Sequence, residues 1–312
     1  MTTSVALCTY NGGKFLKQQI DSILSQTLKV NEIIVCDDGS TDSTVEILNT
    51  YKKQYPDIFK IYINEKNLRS AKNFEKAISL CNNDIIFLSD QDDVWASEKV
   101  KTYCEFMRNH PNISVLCSNG FIIDDQNKKL EKYTIWDIPG FFKEKKESVN
   151  YYETIAFTSN IATGASMSIK REFIPNILPI PEITGFHHDE WIALIAASKA
   201  QFEILDDKLF SYRFHENQQV GGVFVEKNNA DKKKLLEKFY SDEYSKTSKT
   251  KLSFLKRLKR REKKLKEVYT STNNKIFSDL LIAIDLKRNE ITRELKSHNF
   301  ILFLFYKILG KI

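Results

Sequence analysis

Three carboxylates crowd into four residues at Asp90, Asp92 and Asp93, inside the run Ser89–Trp95 (SDQDDVW). Left without partners, such groups repel one another and raise one another's pKa. A divalent cation relieves the repulsion, and hard oxygen ligands suit Mg²⁺ or Mn²⁺. One or two carboxylates plus diphosphate oxygens make a normal shell for such an ion. The same residues also read as an acidic turn ahead of a helix near Ser97, since turns use Asp without any metal. A second run, Cys36–Asp42 (CDDGSTD), offers Asp38 as an acceptor for a base N3–H, with Gly39 permitting a tight turn. A third, CTYNGG, supplies the Tyr10 ring for base stacking and Asn11-Gly12-Gly13 for close backbone approach. No G-x-G-x-x-G and no G-x-x-x-x-G-K-[ST] occurs, so Rossmann and P-loop phosphate cradles are absent and a metal on the Asp-rich run must handle phosphates.

A scaffold must bring these runs together. Ser4–Cys8, Glu32–Cys36, Phe59–Ile63 and Asp84–Leu88 are short, Val- and Ile-rich, and predict strands. Between them Phe15, Leu16, Ile20, Ile23 and Leu24 share one helix face, as do Val45, Leu48 and Tyr51. Further helices are predicted over Ala71–Leu80 and Ser97–Asn109, with Asp42 or Ser40 capping the second helix. This alternation argues an α/β fold, a mostly parallel sheet flanked by helices on both faces. Such sheets bind ligands at the carboxyl ends of their strands, where Tyr10, Asp38 and the Asp90–Asp93 run all fall. Downstream, Ile113–Cys117, Phe121–Ile123 and Ala165–Ile169 read as strands and Asp189–Lys199 as a helix. Phe202–Leu205 and Leu209–Phe214 read as a pair of strands.

The 312 residues are 42% hydrophobic and 28% charged, ordinary globular usage that excludes collagen-like, low-complexity and globally disordered chains. No apolar run, Phe300–Tyr306 included, comes near the ~20 residues that span a bilayer. The opening MTTSVALCTYNGG has neither basic nor apolar signal regions, so a cytosolic location is expected. Five cysteines with no CxxC spacing make a disulfide framework or zinc site unexpected. Residues 1–224 hold 24 Lys and Arg against 30 Asp and Glu, whereas residues 225–312 hold 23 against 11. Such a split predicts two units, 1–224 and 225–312, with different partners.

CTYNGGKFLKQQIDSILSQT, VCDDGSTDST, LSDQDDVW, TGASMSI and HHDEW, in this order over about residues 3–222, resemble glycosyltransferase family 2. HDEW and YRFHENQQVGG are most similar to bacterial rhamnosyltransferase-like members of surface-polysaccharide pathways. The resemblance implies a GT-A fold, an inverting transfer from a nucleoside-diphosphate sugar and a Mn²⁺ or Mg²⁺ cofactor. It implies that Tyr10 and Asp38 hold the pyrimidine, Arg69 reaches the nucleotide and Asp90 contacts the ribose. Asp92 then ligates the metal with Asp93 in support. Arg213 suits a diphosphate by its planar fork, and His215 either completes the metal shell or packs in a loop. Asp189 becomes the base that takes the acceptor hydroxyl's proton, its ionised form favoured at a helix start, with Glu190 as the runner-up. Two helix-capping acids would look the same. Thr163-Gly164-Ala165 is expected in the acceptor wall. His187 and His188 read as structural donors, and Trp95 and Trp191 as sugar platforms or core. One departure stands out: where the family often carries Gly after the third strand, this chain has Leu68-Arg69-Ser70-Ala71.

Beyond residue 224 the chain is helical in pattern and Lys-rich. Lys256–Lys266, with Leu252, Phe254, Leu255, Leu258 and Leu265 interleaved, reads as a basic amphipathic helix, and NFILFLFYKILGKI as an apolar end flanked by Lys307 and Lys311. Together they suggest an interfacial anchor on an anionic membrane, on its cytoplasmic face and beside a glycan or lipid-linked acceptor. A helical oligomerisation arm is the alternative. Nucleic-acid binding is not expected, because the basic run lacks a reading motif and the catalytic half is acidic. Two other functions compete. A sugar nucleotidyltransferase would need a Gly- and Lys-rich phosphate loop, for which Lys14 is the one candidate after the first strand. A non-catalytic membrane scaffold is opposed by the intact acidic cluster and Asp189.

Overall fold

The computed structural model describes residues 1–215, 224–239 and 247–308. Its first half alternates as expected: β1 (Thr3–Thr9), α1 (Leu16–Leu24), β2 (Glu32–Asp37), α2 (Thr44–Gln54), β3 (Phe59–Ile63), α3 (Arg69–Leu80), β4 (Ile85–Ser89), β5 (Val94–Trp95) and α4 (Lys99–Asn109). There follow β6 (Val115–Ile123), β7 (Lys129–Leu130), β8 (Lys132–Thr134), α5 (Ile138–Glu144) and a single turn α6 (Tyr151–Glu153). Then come β9 (Ser168–Lys170), α7 (Ile174–Ile177), α8 (His188–Ser198), β10 (Phe202–Arg213) and β11 (Phe224–Glu226). The C-terminal part is α9 (Asn229–Phe239), α10 (Ser248–Thr272), α11 (Lys275–His298) and α12 (Phe300–Ile308).

Among the described residues nine strands form one sheet in the order β3-β2-β1-β4-β9-β6-β10-β5, with β7 on β6. β1, β2 and β4 are buried along their whole length, as their unbroken apolar runs require. The first four strands pair in parallel. β9 then wedges antiparallel between β4 and β6, and β5 and β7 also pair antiparallel. β6 and β10 pair in parallel, so the sheet is mixed: its long pairings are parallel and its short ones antiparallel. Three residues are enough for β9 because Gly164–Ser166 forms a tight turn just before it, so the strand expected from Ala165 starts at Ser168. The two strand-like runs at 113–117 and 121–123 are one strand. So are those at 202–205 and 209–214, where register shifts about Lys208 mark a bulge rather than a hairpin. Ser43 is the N-cap of α2 and makes no side-chain cap bond; Asp42, one residue earlier, accepts from the Thr44 backbone N–H at 3.0 Å.

Two apolar layers cover the sheet. One face packs against α1, α2 and α4. The other carries α3 and α8, and continues without interruption into Leu258, Leu265, Phe277, Leu280, Ile284 and Leu295 of α10 and α11. The apolar face of α10, expected on a lipid surface, is thus spent on packing against the body: Phe254, Leu255, Leu258, Leu265 and Val268 are at most 1% exposed. Lys259, Arg260, Lys263 and Lys266 form its outer side. α12 differs, since Ile301 and Ile308 are 82% and 76% exposed and Phe300 and Phe305 are exposed as well. Lys311 lies outside the described residues. No helix among the described residues is long and apolar enough to cross a membrane.

Candidate active site

The loops after β1, β2 and β4 meet because those strands are parallel neighbours. Asn11 Oδ1 accepts from the Thr41 N–H at 2.8 Å, and Ser40 Oγ accepts from the Asn11 N–H at 2.8 Å. Gln91 brackets the Tyr10 backbone, accepting from its N–H at 2.8 Å and donating to its carbonyl at 3.0 Å. That approach needs Gly12, where a Cβ would lie 2.1 Å from Gln91 Oε1. The Tyr10 ring is left exposed on the wall of a cleft of about 790 Å³, within the range of ordinary ligand sites.

Asp38 also lines this cleft. Its Oδ1 accepts from Asn64 Nδ2 (2.8 Å) and the Leu68 N–H (2.7 Å), and its Oδ2 from the Arg69 N–H (2.8 Å). The carboxylate therefore caps α3 and keeps one oxygen with a single partner. Arg69 sits in the left-handed region, φ 62°, which is where glycine is at ease. Its side chain reaches the cleft.

Asp90 and Asp92 line the cleft floor. Burial, then the charges of Asp92 and Asp189, push the Asp90 carboxyl up to about 7. Asp92 Oδ2 lies 3.0 Å from His215 Nε2, and the His215 ring leans on Phe15. The carboxylate oxygen suits either Mn²⁺ or Mg²⁺, and the imidazole nitrogen beside it favours Mn²⁺, the softer of the two. Among the described residues no group of three or more metal-type ligands gathers, so an ion here would take the rest of its shell from ligand and water.

Two expected site residues stand elsewhere. Asp93 is 1% exposed and does not line the cleft; its Oδ1 accepts from the Arg213 N–H at 3.0 Å and its Oδ2 has no hydrogen-bond partner among the described residues. Arg213 is fully buried. Its Nε donates to the Asp92 carbonyl (2.7 Å), Nη1 to the Asp124 carbonyl (2.9 Å) and Nη2 to Gln18 Oε1 (2.8 Å), over the Phe15 ring. It buckles the acidic loop to α1 and the 124–125 turn, and its fork has no free side for a diphosphate. Behind the cluster, Lys99 lies over the Trp95 ring and donates to the Ala165 carbonyl at 2.8 Å; burial pushes its ammonium down to about 7.

Asp189 opens α8 and lines the same cleft. Burial raises its carboxyl to about 6, with His187 opposing and Glu190 adding to the shift. His188 stacks on Phe74 at 4.0 Å, and burial holds it down at about 3, hence neutral. Gly164 makes room for it, since a Cβ there would lie 2.6 Å from His188 Nε2. Thr163 and Gly164 reach the cleft and Ala165 is core. Glu190, the alternative base, turns away: it is 5% exposed and pairs with Arg261 and Lys264 of α10. Trp95 and Trp191 are core, 4% and 3% exposed. The sequence reading gave Gln91 no role of its own and missed Arg261. The pairing of β1 with β4 points to the first, but nothing local points to the second. Of the last motif, residues 216–222 lie outside the described residues.

Comparison with known proteins gives the same direction. "Uncharacterized glycosyltransferase MJ1057" of Methanocaldococcus jannaschii is 28% identical over 213 residues, 67% of this chain and 70% of that protein. "dTDP-rhamnosyl transferase RfbG" of Shigella flexneri is 28% identical over 225 residues, 69% of this chain and 73% of that one. "Putative glycosyltransferase EpsE" of Bacillus subtilis is 33% identical over 122 residues, 39% and 44% of the two chains. Among solved structures, S. aureus TarS 1-349 in complex with UDP-GlcNAc superposes with TM-score 0.54 at 16% identity, over 95% of this chain and 82% of that one, a likeness of fold. The family described as "Glycosyl transferase family 2" matches residues 4–174, more than half of the chain. The chain belongs to glycosyl transferase family 2, and is an enzyme that transfers sugars.

Proposed function

We propose that the protein is an inverting, metal-dependent glycosyltransferase. In this reading it moves a sugar from a nucleoside-diphosphate donor to a hydroxyl of a surface-glycan acceptor carried on a lipid. The observation that carries it is the common cleft: Asp189 lines the same cavity as Tyr10, Asp38, Arg69, Asp90 and the Asp92–His215 pair. Tyr10 stacks on the pyrimidine, and the less occupied oxygen of Asp38 accepts its N3–H. Arg69 meets the diphosphate and Asp90 the ribose. Asp92 and His215 hold the divalent ion, which when bound supplies positive charge at the leaving diphosphate. Asp189 takes the acceptor hydroxyl's proton on its carboxylate, which also accepts from the Glu190 N–H at 2.6 Å. One in-line displacement from the face opposite the diphosphate inverts the anomeric centre. Arg213 and Asp93 act beneath the site by fixing the loop that carries Asp92.

Residues 1–224 are read as the catalytic unit and 225–312 as the helical unit that carries the membrane contact, peripheral and on the cytoplasmic face. The exposed apolar residues of α12 and the basic outer side of α10 support that contact. Similarity to a dTDP-rhamnosyl transferase favours a deoxyhexose on a thymidine or uridine carrier, two bases that present the same N3–H to Asp38.

The test is a donor panel. Purified protein with Mn²⁺ is offered nucleotide sugars, and released nucleoside diphosphate is recorded. Release from one donor, lost in Asp92→Ala, is the expected result. Asp189→Asn should abolish transfer to acceptor while leaving donor binding intact. Normal turnover in that variant overturns the assignment of the base.

A further inference from the structure

Three consecutive residues at the start of α8 face three ways, as the ~100° step of a helix requires. Asp189 faces the cleft. Trp191 lies flat on Phe277 of α11, ring centroids 5.2 Å apart and planes within 4°, and its Nε1 donates to the Ile177 carbonyl at 2.7 Å. Glu190 faces α10, where Arg261 Nη1 bonds one carboxylate oxygen and Lys264 Nζ the other at 3.0 Å. The rest of the Arg261 fork is also taken. Its Nε donates to the Ala156 carbonyl at 3.1 Å and its Nη2 to the Ile155 carbonyl at 2.9 Å. Arg261 is 7% exposed.

We infer that Arg261 is a positioning residue: it locks Glu190, and through it the first turn of α8, so that Asp189 is held facing the cleft. The inference rests on the reading of Asp189 as the base. A buried ion pair is a poor device for stability, because an apolar pair of the same shape does as well or better. What a guanidinium bonded at once to a carboxylate and two carbonyls adds is direction. It fixes the rotation of α8 about its own axis, and a small rotation carries Asp189 away from a hydroxyl in the cleft. Misplacement on the order of 1 Å costs up to about 100-fold in rate. The basic helix α10, outside the segment matched by the family, then belongs to the catalytic apparatus.

The experiment uses the full chain and the nucleotide sugar that the donor panel identifies, with hydrolysis of that donor as the readout. In Arg261→Met, kcat should fall roughly 10- to 100-fold while KM for the donor stays within about 2-fold. Arg261→Lys keeps the charge but cannot reach all three partners at once, so it should recover part of kcat. If Arg261→Met does not fold, Arg261→Lys decides alone: an intermediate kcat supports the inference and a wild-type kcat overturns it. A folded Arg261→Met with wild-type kcat, or one losing KM and kcat alike, also overturns it. Amide hydrogen exchange over residues 186–192 gives a second reading, independent of chemistry, and should quicken in Arg261→Met. If Asp189→Asn keeps its turnover, the base assignment fails, and exchange alone reports whether Arg261 holds the helix. Unchanged exchange then ends the inference.

Discussion

Arg69 holds a backbone conformation that costs an L-residue about 1–2 kcal/mol, at φ 62° and with its N–H on Asp38 Oδ2. Arg69→Gly should therefore be neutral or slightly stabilising, because relief of strain is offset by the ~0.5–1 kcal/mol of extra chain entropy that glycine loses. Its side chain, in contrast, lines the cleft and is the one proposed to reach the nucleotide. Loss of a charge-assisted contact of ~1.5–3 kcal/mol should raise the donor KM about 10-fold or more. Urea unfolding and donor kinetics on one preparation check both halves, and an unchanged KM removes Arg69 from the site. A second residue-scale expectation concerns pH. Burial raises Asp189 to about 6, so the proposed base is protonated, and lost, as pH falls through that value. The acid limb of kcat/KM should lie near about 6, where an ordinary Asp titrates near 3.9. A limb near 4 would mean that burial does not govern this group. The placement of Tyr10, Asp38, Asp90 and Asp189 on one cleft was legible in the sequence because each follows a strand or opens a helix, where backbone direction already decides where a side chain goes. Arg213 was not, because its value as a phosphate fork depends on whether its donors are free, and three protein oxygens take them.

At the scale of elements, the turn ahead of β9 bears on the geometry of Asp189, the proposed base. The turn Gly164–Ser166 passes so near α8 that His188 occupies the space of a side chain at Gly164. Gly164→Ala should push His188 off Phe74 and tilt the first turn of α8. Overpacking of this kind costs about 1–3 kcal/mol, and transfer should fall at least ~10-fold with donor binding kept. Adding His188→Ala restores the space, so the double variant should be more stable than the sum of the two singles predicts. Additive losses in thermal unfolding would show that the two residues do not press on each other. The parallel half of the sheet was readable from alternation and apolar runs. The antiparallel wedge was not, because a three-residue strand leaves no period to detect. Nor was the bulge in β10, where Asp206 and Asp207 look like a turn but the backbone carries on through them along β6.

For the molecule as a whole, the question is what the C-terminal helices are for, and two truncations separate the answers. Composition alone marked 225–312 as basic and amphipathic, and could not tell an apolar face aimed at lipid from one aimed at a core. The structure divides the segment: α10 and α11 face the body, whereas α12 keeps most of its apolar side outside. Ending the chain after Thr272 removes Phe277, Leu280, Ile284, Ile291 and Leu295, each at most 3% exposed. At ~1.5–3 kcal/mol for each buried side chain, the loss matches or exceeds the whole stability of a typical domain, ~5–15 kcal/mol. It also strips the Phe277 ring from Trp191. That chain should be unfolded. Ending after His298 removes α12, of which Phe303 is the one residue buried, at 9% exposed. This chain should stay folded and keep hydrolysing donor, and should lose the sedimentation with anionic vesicles expected of the full chain. Zwitterionic vesicles should retain less of the full chain, because basic residues near an anionic surface contribute about 1 kcal/mol each. If the shorter chain still sediments, the basic side of α10 is sufficient for the contact. If the full chain never does, α12 serves something other than a lipid surface, and the reading of a lipid-borne acceptor loses its structural support.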